Sequence, residues 1–226
     1  MQGWRWDIEG VCTDGADSGV LRLGVAVRRK ARGEGHERRA EILAAAERIF
    51  VEHGYEGATI RKIADEVGLS STALYMHFRE KDEILVEICR SAFSRLIEAN
   101  AAIRSEGPEP ESRLMGMLRA YLDFAFENPD AYRLVYLTRP AEARGGAEAT
   151  ASELGTELYR AFEAEVGRVA ASRRLEDDPK VIAQVLWASV HGLASLMITK
   201  PYFEWADRDR LIASLLSTLN RGLIRP

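Results

Sequence analysis

The chain has 226 residues, of which 46% are hydrophobic, with 35 acidic against 31 basic groups and a formal net charge of −4. That length can bury a sizeable core in one or two domains, and nothing in the balance points to a fibrous chain or a bulk polycation. Its two cysteines, Cys12 and Cys89, form no CxxC, so a disulfide scaffold and a zinc ribbon are excluded and a reducing cytoplasm is expected.

Residues 1–36 carry Trp4, Trp6 and scattered glycines with no helical period, and no signal-peptide pattern. Two readings stand: a disordered leader, or a start assigned too far upstream. Its basic end, from Arg28 to Arg39, is a candidate arm for a nucleic-acid groove.

From Ala40 to His53 apolar groups recur at Ile42, Ala46, Ile49 and Phe50, the spacing of one helix face, and Gly54 sits where a left-handed cap would end it. Thr59 is a good N-cap for a second helix with Ile60, Ile63, Ala64 and Val67 inward. Gly68 breaks the chain, and Ser70 or Ser71 caps a third segment of about two turns with Leu74, Tyr75 and Phe78. Two short helices joined by a glycine turn form the helix-turn-helix pattern. The third is too short to stand alone and must be held through Leu74 and Phe78. Its outer face, Ser71, Thr72, Met76 and His77, is small or hydrogen-bonding, which suits a helix whose N-terminal end enters a major groove.

The next helix, Glu83 to about Arg104, connects this head to the rest of the chain. Gly107-Pro108-Glu109-Pro110 breaks it. Five more helices are expected: Glu111 to Glu127; Asp130 to about Leu137, capped by Asn128-Pro129; about Thr150 to Ser172; one opened by Asp178-Pro179 and running to about Thr199; and Asp207 to about Gly222. Arg139 to Ala149 reads as a loop. No strand pattern is present, and no apolar run is expected to reach the roughly 20 residues of a membrane span. The fold class is therefore all-α. A three-helix N-terminal helix-turn-helix domain, 37–82, precedes a larger helical domain, 83–226.

The string from Thr59 to Leu85, TIRKIADEVGLSSTALYMHFREKDEIL, with the Gly54-Tyr55 turn ahead of it, resembles the N-terminal domain of TetR-family transcriptional regulators over about fifty residues. Trp187, His191 and Gly192 resemble the W-x-x-x-H-G signature of one C-terminal subclass. The resemblance implies a dimeric, ligand-responsive DNA-binding protein, a repressor released from a near-palindromic double-stranded operator by a small-molecule effector, with 83–226 as its ligand-binding and dimerisation domain. It implies no cofactor and no metal. The expected DNA-contacting residues are Thr59, Arg61, Lys62, Ser70, Ser71, Thr72, Tyr75, His77 and Lys81. Arg28 to Asp82 holds eleven basic and ten acidic residues, so phosphate contacts would have to come from locally placed groups.

The helix from Pro179 is apolar over more than one face, and the last helix carries a leucine stripe. Val185, Ser189, Gly192, Leu193, Leu196, Leu211, Leu215 and Leu219 are expected at a dimer interface, against the plainer reading that they close the monomer core. Met117, Tyr121, Phe124, Tyr132, Tyr136, Phe162, Trp187 and His191 are the candidate ligand-pocket residues, each also readable as plain core. Two other classes are weaker. An enzyme would need a nucleophile, paired acids or metal ligands in one cleft. Yet His36, His53, His77 and His191 are scattered, and HExxH, GxSxG and a phosphate loop are missing. A helical protein-interaction module without DNA binding would leave the outer face of the third helix unexplained.

Overall fold

A computed structural model describes residues 34–106, 109–137, 146–172, 175 and 177–223. The leader through residue 33, with Arg28, Arg29, Lys30 and Arg32 of the candidate arm, lies outside the described residues. The helices are α1 (Glu34–Gly57), α2 (Ile60–Glu66), α3 (Ser71–Tyr75), α4 (Lys81–Glu106), α5 (Pro110–Glu127), α6 (Pro129–Tyr132), α7 (Gly146–Ser172), α8 (Pro179–Thr199) and α9 (Arg208–Leu223). Among the described residues there is no β-strand.

Helices α1 to α3 and the start of α4 enclose one core of Ile42, Phe50, Ile63, Leu74, Phe78, Ile84 and Ile88, all at most 2% exposed. The apolar periodicity of each segment points at this cluster. Local chemistry sets the ends. Thr59 Oγ1 accepts from the Lys62 N–H at 3.2 Å, and Ser70 Oγ accepts from the Ala73 N–H at 3.1 Å, so Ser70 rather than Ser71 is the cap of α3. Helix α3 is five residues long, shorter than the two turns expected.

Gly54 and Gly68 have φ of 68° and 66°. Gly54 kinks α1 just before its last residues, and Gly68 turns the chain between α2 and α3. A Cβ on Gly68 would meet no atom within 4 Å, so a side chain there costs only backbone strain. Gly68→Ala should therefore destabilise the chain by about 1–2 kcal/mol. Gly167→Ala, on the exposed side of α7 in equally open space, should stabilise it by about 0.5–1 kcal/mol. Urea unfolding of both variants checks the sign of each.

The larger domain packs α4, α5, α7, α8 and α9 around Leu114, Leu122, Tyr132, Leu186 and Ile212. Helices α4 and α7 run closely together, with Gly155 placed where a Cβ would lie 3.4 Å from the Phe93 ring. Between α5 and α7 the fully buried Glu165 carboxylate accepts from Arg113 at 2.8 Å and from Arg168. Two charge-assisted bonds let a carboxylate sit in the core. Asp178 Oδ1 caps α8 through the Lys180 N–H at 2.9 Å.

Several expectations are corrected here. Helix α1 begins at Glu34, inside the segment read as leader, and α7 begins at Gly146, inside the segment read as loop. The helix from Pro129 is α-helical only to Tyr132 and continues as a π-turn over Arg133–Leu137. Asn128 does not cap it by its side chain. Its Nδ2 donates back to the Phe124 carbonyl at 3.1 Å, and its Oδ1 is taken by Arg95. Finally, α8 is 21 residues long with a mean hydropathy of 1.7 over an 18-residue window, so by length and composition it does reach a membrane-span pattern. The expectation of no such run missed it because small and hydroxylated residues interrupt the large apolar ones. Within the fold, one face of α8 packs on α5, α7 and α9 through Ile182, Leu186, Val190 and Ala194.

Candidate nucleic-acid interface and ligand cavity

The outer side of the head is built from the end of α1, the start of α2 and helix α3. Thr59, Arg61, Ser71, Tyr75, Arg79 and Lys81 line one shallow depression there. Tyr75 is 52% exposed and Met76 84% exposed, although both belong to an apolar sequence stretch. Ser70 and Thr72 are also exposed, and Ser71 is half-buried. Arg61 reaches into solvent, 3.8 Å from Asp65. A short helix that holds its core with Leu74 and Phe78 and turns a tyrosine and hydroxyls outward is a surface for reading polar edges.

Three of the basic groups expected on this surface are used for other contacts. The Lys81 ammonium donates to the carbonyls of Tyr55 and Ala58 and lies 4.0 Å from the centre of the Tyr55 ring. It braces the turn after α1, so the ammonium expected at a phosphate also has a structural use. Arg39 donates to the His77 carbonyl at 2.6 Å and stacks 4.0 Å over Phe78. That ties the start of α1 to the residues just after α3, and removes Arg39 from the candidate arm. Lys62 bonds the Gly57 carbonyl at 3.0 Å from an exposed position. His77 itself is half-buried, not fully outward. The sequence concealed these uses because each partner is a backbone carbonyl or a ring, neither of which leaves a charge pattern.

A cavity of about 1290 Å³ lies between the head and the larger domain. Of the pocket residues expected from sequence, Met117, Tyr121, Tyr136, Phe162 and Trp187 line it. Phe124, Tyr132 and His191 do not. Phe124 and Tyr132 are buried in the core, and Tyr132 and His191 pack against the ring of the lining Tyr136. His191 Nδ1 lies 2.9 Å from the Tyr121 hydroxyl and 2.7 Å from the Tyr132 hydroxyl. Burial lowers the His191 pKa, which keeps the ring neutral and Nδ1 able to accept. Burial likewise raises Tyr121 and Tyr136, and raises Tyr132 to about 12. The cluster is therefore uncharged at neutral pH.

Sequence reasoning missed the head's share of this cavity: Phe50, Val51, Gly54 and Tyr55 line it, with Leu85 and Cys89 at the start of α4. Burial raises the Cys89 thiol to about 11, so it is a neutral wall group. It missed Asn100 too, although a lone amide in the buried stripe Phe93, Leu96, Asn100 was a readable signal. The π-turn contributes Arg133 to Leu137 to the wall.

On α8, Val185 (52%) and Leu196 (49%) are exposed, and Ser189 and Gly192 are half-buried between them. Leu193, Leu215 and Leu219 are half-buried and already pack against the monomer core, and Leu211 is half-buried. The eight residues offered as interface thus divide: Val185 and Leu196 of α8 face outward with Ser189 and Gly192 between them, while Leu193 of α8 and most of the α9 leucines face inward.

Two family models match the chain: "Bacterial regulatory proteins, tetR family" over residues 42–88, and "Tetracyclin repressor-like, C-terminal domain" over residues 114–219. The chain is 31% identical over 151 residues to the HTH-type transcriptional activator FasR of Mycolicibacterium smegmatis, a match covering 60% of this chain and 69% of FasR. It is 44% identical over 64 residues to the transcriptional repressor AcnR of Corynebacterium diphtheriae, covering 28% of this chain and 34% of AcnR. The structure of the ketosteroid transcriptional regulator KstR2 of Mycobacterium tuberculosis superposes with a TM-score of 0.70 at 20% identity, over 84% of this chain and 96% of that one, which speaks to the fold alone. The helix-turn-helix head, the helical body and the FasR match together place this chain in the TetR family, as a DNA-binding transcriptional regulator.

Proposed function

We propose that the chain is a homodimeric repressor that holds a near-palindromic operator and releases it when a small apolar molecule fills the cavity. In this reading the head is 34–80 and the body 81–223, a division that moves the sequence boundary to the start of α4. Ser71, Thr72 and Tyr75 lie at base edges, with His77 at the margin. Thr59, Arg61, Lys62 and Ser70 lie at phosphates. Lys81 contributes a backbone N–H at the start of α4, where free amides and the helix dipole favour an anion. AcnR is a repressor and FasR an activator by name, and the repressor reading rests on the repressor relatives AcnR and KstR2. Such a protein works in the cytoplasm, where its DNA is.

One observation carries the coupling. Tyr55 lines the cavity, and its carbonyl and ring also hold Lys81, the first residue of α4. Filling the cavity beside Tyr55 bears on the joint that sets the head against the body. A ligand that binds better to the non-operator setting of the heads shifts the population away from DNA by no more than its differential affinity. Turning a 99:1 bound population into 1:99 asks for about 5.5 kcal/mol of that difference.

The contact surface is tested by Tyr75→Ala. Its ring is half in solvent, so folding should be little changed, while operator affinity should fall by about 10- to 100-fold, the worth of one good base contact. Fluorescence anisotropy against operator DNA, paired with a melting curve, reads both. Unchanged affinity in a folded variant would take Tyr75 off the interface.

A further inference from the structure

The cavity's walls say what it takes. It follows α4 from Leu85 to Asn100, fifteen residues of helix, or about 22 Å of rise. Along that length the wall is mostly apolar side chains, from Phe50 and Leu85 at the head end to Phe162 at the far end. The charged group in it, Arg133, is already engaged, with Asp130 at 3.2 Å and the Ile198 carbonyl at 2.8 Å. Cys89, Tyr121 and Tyr136 in the wall are neutral for the reason given above. An anionic headgroup drawn into this space would lose its water without gaining a dedicated countercharge.

Two lining side chains hold a buried polar atom without a hydrogen-bond partner among the described residues, Asn100 and the half-buried Tyr159, and of these Asn100 is the one that is nine-tenths buried. Asn100 lines the cavity, is 94% buried at 6% exposure, and its Oδ1 has no hydrogen-bond partner among the described residues. A buried amide oxygen without a partner costs stability, and a ligand hydroxyl donating to it would relieve that cost. A carboxamide offers one acceptor and two donors, and a hydroxyl can satisfy either side of it.

We infer that the effector is an elongated, uncharged, apolar molecule with a terminal hydroxyl, which binds the Asn100 amide while its apolar end lies against Phe50 and Tyr55 of the head. This rests on the cavity being the effector site of the regulator proposed above. A straight hydrocarbon chain and a fused-ring skeleton share this chemistry, and the test separates them.

Equilibrium dialysis of the full chain, without DNA, is run with radiolabelled 1-hexadecanol, palmitate, n-hexadecane, 1-octanol and cholesterol. The expected result is that 1-hexadecanol, cholesterol or both bind at least ~10-fold tighter than palmitate, hexadecane and octanol, the worth of one satisfied buried amide. Which of the two binds names the skeleton. Asn100→Leu should bring the alcohol down to the level of hexadecane while hexadecane binding persists. Asn100→Ala does the same should the leucine variant fail to fold. Palmitate binding as tightly as the alcohol would overturn the inference. So would an unchanged alcohol-to-alkane ratio in the Asn100 variants, or no binding of any probe. Operator binding of the ligand-free chain is measured separately, so a failure of the DNA reading and a failure of this one are distinguishable.

Discussion

A chain carrying Val185→Asp and Leu196→Asp should sediment as a monomer and lose at least ~100-fold in operator affinity, because a tethered second head normally raises avidity by about 10² to 10⁴. Both side chains are about half exposed on the outer face of α8. New carboxylates there meet solvent in a lone subunit, so each monomer should keep its fold and its melting temperature. In a two-fold interface each substitution appears twice, so four carboxylates would have to be desolvated without partners. The choice of Val185 and Leu196 over the other interface candidates comes from the structure. Leu193, Leu215 and Leu219 already pack on the monomer core, so substituting them would confound association with folding. Sedimentation velocity and anisotropy on the same sample test the expectation. A dimer that persists with full affinity would move the interface elsewhere and return the outer face of α8 to the other meaning of its apolarity.

Leu74→Ala should cost about 2–5 kcal/mol, the usual range for a leucine truncated in a closed core. Leu74 is fully buried between α2 and α1, at 0% exposure. Helix α3 has only five residues, far below the ~12 to 15 at which an isolated helix becomes even marginal. Its shape is therefore borrowed from Leu74 and Phe78 below it and from the Ser70 cap ahead of it. Losing that anchor should abolish specific DNA binding before it disturbs the body, whose core is a separate cluster. Hydrogen exchange should show α2 and α3 opening while α5, α7 and α8 stay protected. Intact operator affinity at ordinary temperature would mean that α3 is held by contacts other than Leu74.

Much of this architecture was legible in the residues. Apolar spacing placed all the helices of the body, and Thr59, Gly68 and Asp178 marked boundaries through chemistry that acts over two or three residues. The expectation of a dimer and of an effector came from the resemblance. Illegible parts were those decided across long sequence separations. Lys81 looks only like a phosphate ligand until Tyr55 and Ala58, more than twenty residues upstream, present their carbonyls to it. Arg39 looks like part of a basic arm until α3 ends beneath it. Aromatic content offered Tyr121, Tyr132, Tyr136, Trp187 and His191 alike and could not tell a wall from its support: Tyr121, Tyr136 and Trp187 line the cavity, and Tyr132 and His191 do not. Nor could periodicity show that one cavity would take its walls from both domains.

The most direct test of the whole account is a selection of fragmented genomic DNA by the purified chain at two salt concentrations. The account predicts enrichment of fragments sharing one near-palindromic sequence, with half-sites in successive major grooves and two subunits, or a multiple of two, on each site. Binding should weaken steeply with salt as the few placed cations release counterions from phosphates. Recovery of fragments with no shared sequence, bound no better than scrambled duplex at either salt, would contradict it and leave the head without a use on DNA.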